Sequence, residues 1–332
     1  MRRLLPVLAL LPLLLVPGTA RAAGTAYAPL DRPGPVLTVP AADLRRSLVC
    51  TGDLRARTPV LLVPGTTLTP AQFSWNYARA FRAQGRPFCT VALPRQATGD
   101  VQVAGQYVVN AIRTMHARAG RRIDVVGHSQ GGMVPRWALR FWPDTRAMVD
   151  DLVGLAPSNH GTVVAAPVCV TTCPVAFRQQ VAGSRFLAAL NSRAETFAGI
   201  DYTQVSSRYD EVVVPNLDPA TGSSALRVGP GRPRNVGTQQ VCPLDAADHL
   251  ALGTYDPVGY ALTLDALDHP GPADPSRVPA SVCTQLLAPG VDPATFAADE
   301  AALLASLASG VAGAPLSTTE PPLARYVFAS GR

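Results

Sequence analysis

The chain has 332 residues, enough for one large α/β domain or two small ones, and an apolar content of 47% supports a substantial core. Charged residues make up 16%, and every basic side chain is arginine, which excludes Schiff-base chemistry and a lysine general base. The formal charge of +6 falls to +3 without Arg2, Arg3 and Arg21, and the remaining scattered arginines form no nucleic-acid patch.

The first residues are Arg2-Arg3, an apolar run from Leu4 to Val16, Pro17-Gly18 and the small-residue stretch Ala20-Arg21-Ala22. This is the three-part layout of a secretory signal, with cleavage after Ala22 and residues 1–22 removed. The apolar run is too short to span a bilayer comfortably. Six cysteines in an exported chain suggest three disulfides, although six allow 15 pairings and spacing does not choose among them. Cys169 and Cys173 are close enough to close a local loop; Cys50 and Cys89, then Cys242 and Cys283, are the other sequence neighbours. No second Cys or His pair stands at zinc-ligand spacing, so neither a metal nor an organic cofactor is expected.

Residues 23–46, with Pro29, Pro33, Pro35 and Pro40, read as an extended segment wrapping the domain. From Thr58 a strand–helix rhythm begins. Pro59 to Val63 is a buried strand that stops at Pro64-Gly65. Residues 70–84 place Phe73, Tyr77, Ala80 and Phe81 at helical spacing, and Phe88 to Leu93 is the next strand. Val101 to Ala119 is a helix with Val101, Ala104, Val108, Ile112 and Met115 on one face. Ile123, Val125 and Val126 form a β-prone run that ends at Gly127-His128-Ser129-Gln130-Gly131. A helical pattern with Met133, Trp137 and Leu139 then runs to about Pro143. Leu152 to Ala156 is a further strand. This alternation implies a mostly parallel sheet with helices on both faces. Residues 157–200 read as an insertion with short helices. Strands at Thr203 to Arg208 and Val236 to Val241 follow, then helices over 255–268 and 292–309. With no repeat and no long linker, residues 47–332 read as one catalytic domain.

A serine between a strand end and a helix start sits in a tight, strained turn, and Gly127 and Gly131 leave room for strand and helix to approach. Ser129 Oγ is then held at a helix N-terminus, where the dipole favours developing negative charge. Its hydroxyl needs an imidazole to take the proton and a carboxylate to orient that imidazole. His249 and His269 lie far enough downstream for a strand and an acid to intervene. His249 stands in a loop-like approach after a strand. His269 precedes Pro270-Gly271 at a helix end, where a solvated or capping role is ordinary. His128 packs beside the nucleophile, His160 follows it too soon, and His116 lies on an earlier helix. Asp210 follows the strand over 203–208 and is the expected acid, with Asp245 and Asp248 as alternatives. Its neighbour Glu211 points the other way on an extended chain. Oxyanion donors are expected from the Gln130 N–H and from Thr66, after the tight turn at Gly65.

Together with Leu62-Val63-Pro64-Gly65-Thr66, Leu155-Ala156-Pro157, Gly161-Thr162, Tyr209-Asp210-Glu211 and Asp248-His249, these residues give the chain its family likeness. It resembles secreted lipases of the α/β-hydrolase fold, the class 2 lipases and the fungal lipase B type, from roughly Cys50 to Cys283. The resemblance implies Ser129, Asp210 and His249 as triad, and Thr66 and Gln130 as oxyanion donors. It also implies pairing of Cys50 with Cys89 and of Cys242 with Cys283. Three features depart from the lipase B type. Ser158 replaces its Asp, the Cys169/Cys173 pair is additional, and Gly127-His128 stands where its elbow opens with Thr-Trp.

The expected chemistry is hydrolysis of apolar esters such as acylglycerols through an acyl-enzyme on Ser129. Val163, Val164, Val168, Val175, Phe177 and Phe186 either line an acyl channel or pack the core; Ser158, Val163 and Val164 are candidate substrate contacts. Expected partners are an ester substrate and transient contact with a lipid interface, with no nucleic acid, for a monomer. A bonded Cys169/Cys173 pair would limit lid movement and weaken interfacial activation. The rivals are a soluble carboxylesterase, polyester hydrolase or acyltransferase with the same triad, and a catalytically dead fold used for binding.

Overall fold

The computed structural model describes residues 26–331, so residues 1–22, expected to be a secretory signal, lie outside the described residues. The strands are β1 (Leu48–Thr51), β2 (Val60–Val63), β3 (Phe88–Val91), β4 (Ile123–His128), β5 (Val149–Leu155), β6 (Cys173–Pro174), β7 (Asp201–Ser206), β8 (Arg232–Gly237) and β9 (Leu316–Ser317). Seven of them form one sheet in the order β1-β3-β2-β4-β5-β7-β8, and β6 pairs with β9 apart from it. Every pairing in the large sheet is parallel except β1 with β3.

The helices are α1 (Ala41–Ser47), α2 (Tyr77–Ala83), α3 (Val101–Ala119), α4 (Gln130–Phe141), α5 (Ala165–Val168), α6 (Val175–Gln179), α7 (Arg185–Leu190), α8 (Thr238–Val241), α9 (His249–Leu252), α10 (Pro257–Asp268) and α11 (Phe296–Ala312). The central strands are buried on both faces, as a parallel sheet between helix layers requires. Side chains alternate between the layers with the two-residue period of a strand. Leu61 and Val63 pack with Val108, Ile112 and Trp137 of α3 and α4, while Val60 and Leu62 pack with Tyr77, Phe81 and Leu262 of α2 and α10. The long helix α3 starts at the Asp100 cap and ends at Gly120 in the left-handed region (φ 67°), the boundaries its pattern predicts.

Three expectations needed correction. Residues 70–84 are not one helix: a 3₁₀ turn at Pro70–Phe73 precedes α2, because Asn76 leaves helical geometry and its side chain caps Tyr77. The strand expected over Val236 to Val241 lies earlier, at Arg232–Gly237, and 238–241 is helical. Its Arg-Pro-Arg-Asn start lacks apolar alternation because β8 is an edge strand, where proline is tolerated. The segment 23–46 is extended only in part, since α1 occupies its end. The extended part pairs with the other end of the chain: Ala28 N–H donates to Val327 C=O at 2.8 Å and Ala329 N–H to Ala26 C=O at 2.7 Å.

Three disulfides join Cys50 to Cys89 across β1 and β3, Cys169 to Cys173 beyond α5, and Cys242 to Cys283. Among the described residues, no helix is long and apolar enough to cross a membrane.

Candidate active site

The chain turns from β4 into α4 at one residue, Ser129, with φ 57° and ψ −125°. A non-glycine residue there is strained and persists only because its surroundings fix it. Ser129 N–H donates to Leu155 C=O at 2.8 Å on the neighbouring strand. A Cβ on Gly127 would lie 1.9 Å from the Gly131 carbonyl oxygen, and one on Gly131 would lie 2.1 Å from that of Val63. Glycine at both positions is therefore a steric requirement of the turn.

Ser129 opens into a cavity of about 340 Å³ at the carboxyl ends of the strands. His249, the first residue of α9, reaches the same cavity after the Asp248 cap. Its Nδ1 lies 3.0 Å from Asp210 Oδ1, which also accepts the Val212 and Val213 amides at 2.9 and 2.8 Å. The buried carboxylate is thus held by three donors. It requires a proton on Nδ1, which leaves Nε2 as the free base. No hydrogen bond joins Ser129 to His249 here; such contacts commonly tighten only in the substrate complex.

Thr66 lines the cavity beside Ser129, and Gln130 follows the serine in the chain. Gln130 Nε2 and Gln180 Nε2 each donate to Thr66 Oγ1 at 3.1 Å. With its oxygen accepting twice, the Thr66 hydroxyl is left to donate its own proton. Among the described residues, neither the Thr66 nor the Gln130 backbone N–H is taken by a protein acceptor. Three donors near the serine are thus left without a protein acceptor, the kind of group a developing oxyanion needs.

The alternative residues are engaged elsewhere. Asp248 caps α9 through Ala251 N–H at 2.7 Å. Asp245 faces Asp256, whose carboxyl is pushed up to about 7 by burial and by Asp245. His269 lies half exposed against the Asp265 carbonyl, and His160 bonds Glu195 at 2.9 Å.

Among the expected substrate contacts, Ser158 is buried at the cavity wall and donates to Gln180 Oε1 at 2.7 Å. Val164 lines the cavity, whereas Val163 does not: it is half exposed, as successive side chains entering α5 turn by about 100°. The apolar insertion likewise divides. Val168 and Phe177 line the cavity, but Phe186 stacks on Trp137 in the core with ring centroids 4.5 Å apart. Leu307 and Val311 of α11 complete the wall from a part of the chain with no motif. Glu211 is a second correction. It turns into the cavity, and its Oε2 accepts the His249 N–H at 3.1 Å. The loop after β7 is bent by the Asp210 turn, so extended-chain alternation does not apply to it.

A mostly parallel sheet whose central strand ends in a strained serine turn, with an acid and then an imidazole following in the chain, defines an α/β-hydrolase. More narrowly, the chain belongs to the class 2 lipases. The model of that family matches residues 57–234, over half of the chain. Lipase B of Pseudozyma antarctica is 33% identical over 308 residues, covering 90% of this chain and 88% of that protein. The crystal structure of Aspergillus fumigatus lipase B superposes with a TM-score of 0.81 at 29% identity, covering 92% of this chain and 76% of that one. Bacillus licheniformis lipase BlEst2 in its propeptide form shares the fold alone, at 14% identity and a TM-score of 0.50 over 68% of this chain and 54% of that one. The protein is an ester hydrolase.

Proposed function

We propose that the protein is a secreted lipase or esterase that cleaves apolar carboxylic esters, acylglycerols among them, through an acyl-enzyme on Ser129. The observation that carries this reading is the meeting of Ser129, Thr66 and the Asp210-held imidazole of His249 on one cavity, with the unused Gln130 amide directly after the serine in the chain. His249 Nε2 takes the hydroxyl proton as Oγ attacks the ester carbonyl, and Thr66 and Gln130 hold the oxyanion. The imidazolium then protonates the departing alcohol. Water, deprotonated by the same ring, releases the acid. Loss of one oxyanion donor typically costs about 3–4 kcal/mol of transition-state stabilisation. Apolar side chains line the cavity wall, which favours an acyl chain over a polar one. The signal-like first 22 residues and three disulfides support export to an oxidising compartment.

Ser129→Ala is expected to fold normally and to lose both turnover and labelling by a fluorophosphonate; retained ester hydrolysis would sink the assignment. A p-nitrophenyl ester series of rising chain length, run beside an emulsified triglyceride, separates a lipase from a soluble carboxylesterase. The Cys169–Cys173 bond closes a short loop beside the cavity wall at Val168, which restrains any lid there. The rate is therefore expected to rise smoothly through the substrate's solubility limit, and a sharp jump at that limit would contradict this.

A further inference from the structure

His128 and Gln72 fall outside the triad and the oxyanion donors, yet both are almost fully buried between them. Gly65 N–H, in the loop that presents Thr66, donates to Gln72 Oε1 at 3.1 Å. That contact fixes the amide: its oxygen faces Gly65, so its nitrogen is the donor to His128 Nδ1 at 2.7 Å. The second Gln72 N–H reaches the Gly253 carbonyl at 3.4 Å, just past α9. With Nδ1 accepting, the His128 proton sits on Nε2, which lies 2.9 Å from the carbonyl oxygen of His249. Every member of this chain therefore has one allowed direction. Burial, then the neighbouring His249, hold the His128 imidazole far below its usual range, so it stays neutral as the directions require. The ring is also wedged in place. A Cβ on Gly253 would lie 2.2 Å from it, and the His249 ring centroid is 4.7 Å away.

We propose that Gln72 and His128 are positioning residues that couple the oxyanion loop to the main chain of the catalytic base, so that both halves of the machinery are set by one hydrogen-bonded relay. The relay runs from Gly65 through Gln72 and His128 to the His249 carbonyl, while Glu211 holds the N–H of the same residue at 3.1 Å. His249 is thereby fixed through its backbone on both sides as well as through its ring. The inference rests on the reading of His249 as base and Ser129 as nucleophile.

The test uses the secreted protein with p-nitrophenyl butyrate and four variants: His128→Phe, His128→Gln, Gln72→Leu and the double variant His128→Phe/Gln72→Leu. Phenylalanine keeps the ring and removes the relay; glutamine restores an acceptor and a donor about as far apart as the ring nitrogens. Misplacement of a catalytic group by about 1 Å costs up to about 100-fold. His128→Phe and Gln72→Leu are expected to lower kcat by about 10- to 100-fold with KM nearly constant. The double variant should be no slower than the slower single, as residues acting through one relay are not additive, and His128→Gln should recover most of the rate. An unchanged kcat in either disrupting variant, multiplying effects in the double, or a His128→Gln as slow as His128→Phe would overturn the relay. If His128→Phe does not fold, Gln72→Leu and His128→Gln decide by the same criteria. Ser129→Ala separates the two levels: turnover surviving there defeats the underlying reading, whereas a dead Ser129→Ala beside a fully active His128→Phe defeats the relay alone.

Discussion

The two ends of strands β4, β5 and β7 treat their carboxylates in opposite ways. At the carboxyl ends, Asp210 is buried but receives an imidazole and two backbone amides, and Glu211 receives the His249 amide. At the amino ends, Asp124 and Asp151 are also buried, and Asp150 stands beside them, with oxygens of all three within 4.8 Å of one another. Arg122 is drawn to Asp150 at 3.1 Å, and Asp151 Oδ1 has no hydrogen-bond partner among the described residues. Burial, then Asp150, pushes Asp124 up to about 7; burial, then Asp124, pushes Asp151 up to about 9. The difference lies in the donors. Asp210 Oδ1 receives an imidazole and two amides, although its Oδ2, like Asp151 Oδ1, has no partner among the described residues. Where burial and neighbouring carboxylates act without such donors, the carboxyl is driven to hold its proton.

The sharpest way to break this contrast is to replace the carboxyl group at the cavity end. Asp210→Asn keeps the shape but unsettles the His249 tautomer, and kcat is expected to fall about 10⁴-fold with the fold retained. A normal circular dichroism spectrum beside an unchanged kcat would show that Asp210 has no such role. The opposite end should respond in stability and not in rate. Because Asp124 and Asp151 are raised in the folded state, their stabilising contribution is complete below about pH 4 and is lost as pH rises through about 7 and then 9. Asp151→Asn is therefore expected to flatten the fall in thermal stability between pH 6 and pH 9.5, by on the order of 1–3 kcal/mol, with kcat near that of the parent. Melting curves across that range with an unchanged slope would contradict it. The smallest effect belongs to charges that water already solvates. Arg113 and Asp144 lie 2.7 Å apart but are both well exposed, so Arg113→Ala should change stability by less than about 0.5 kcal/mol in a denaturant titration.

What could be read in advance follows the same division between local and long-range causes. The helix Val101–Ala119 and the strand–Ser129–helix unit were legible because period, cap and glycine spacing act within a few residues. The expected pairing of Asp210 with His249 followed from chain order after the serine, and the two side chains lie 3.0 Å apart. The edge strands were harder: β1 is short and half exposed, and β8 opens on Arg-Pro-Arg-Asn. Gln72, Gln180 and Glu211 carried no spacing signal, since each acquires its partner only when distant segments pack. Glu211 departs from strand alternation because the Asp210 side chain caps a turn there. His128 was placed correctly beside the nucleophile, but its partners 56 and 121 positions away were invisible.

The meeting of residues 26–32 with 327–329 has a practical side. Arg140, at the last turn of α4, donates to the Ala28 carbonyl, so this seam lies roughly 18 Å along that 12-residue helix from Ser129. A few linking residues across it would turn residues 26–331 into a ring without altering the partner of any strand in the large sheet. Fresh termini could then be cut in an exposed loop such as 217–221, and a carrier or affinity handle moved around the molecule while the cavity keeps its walls.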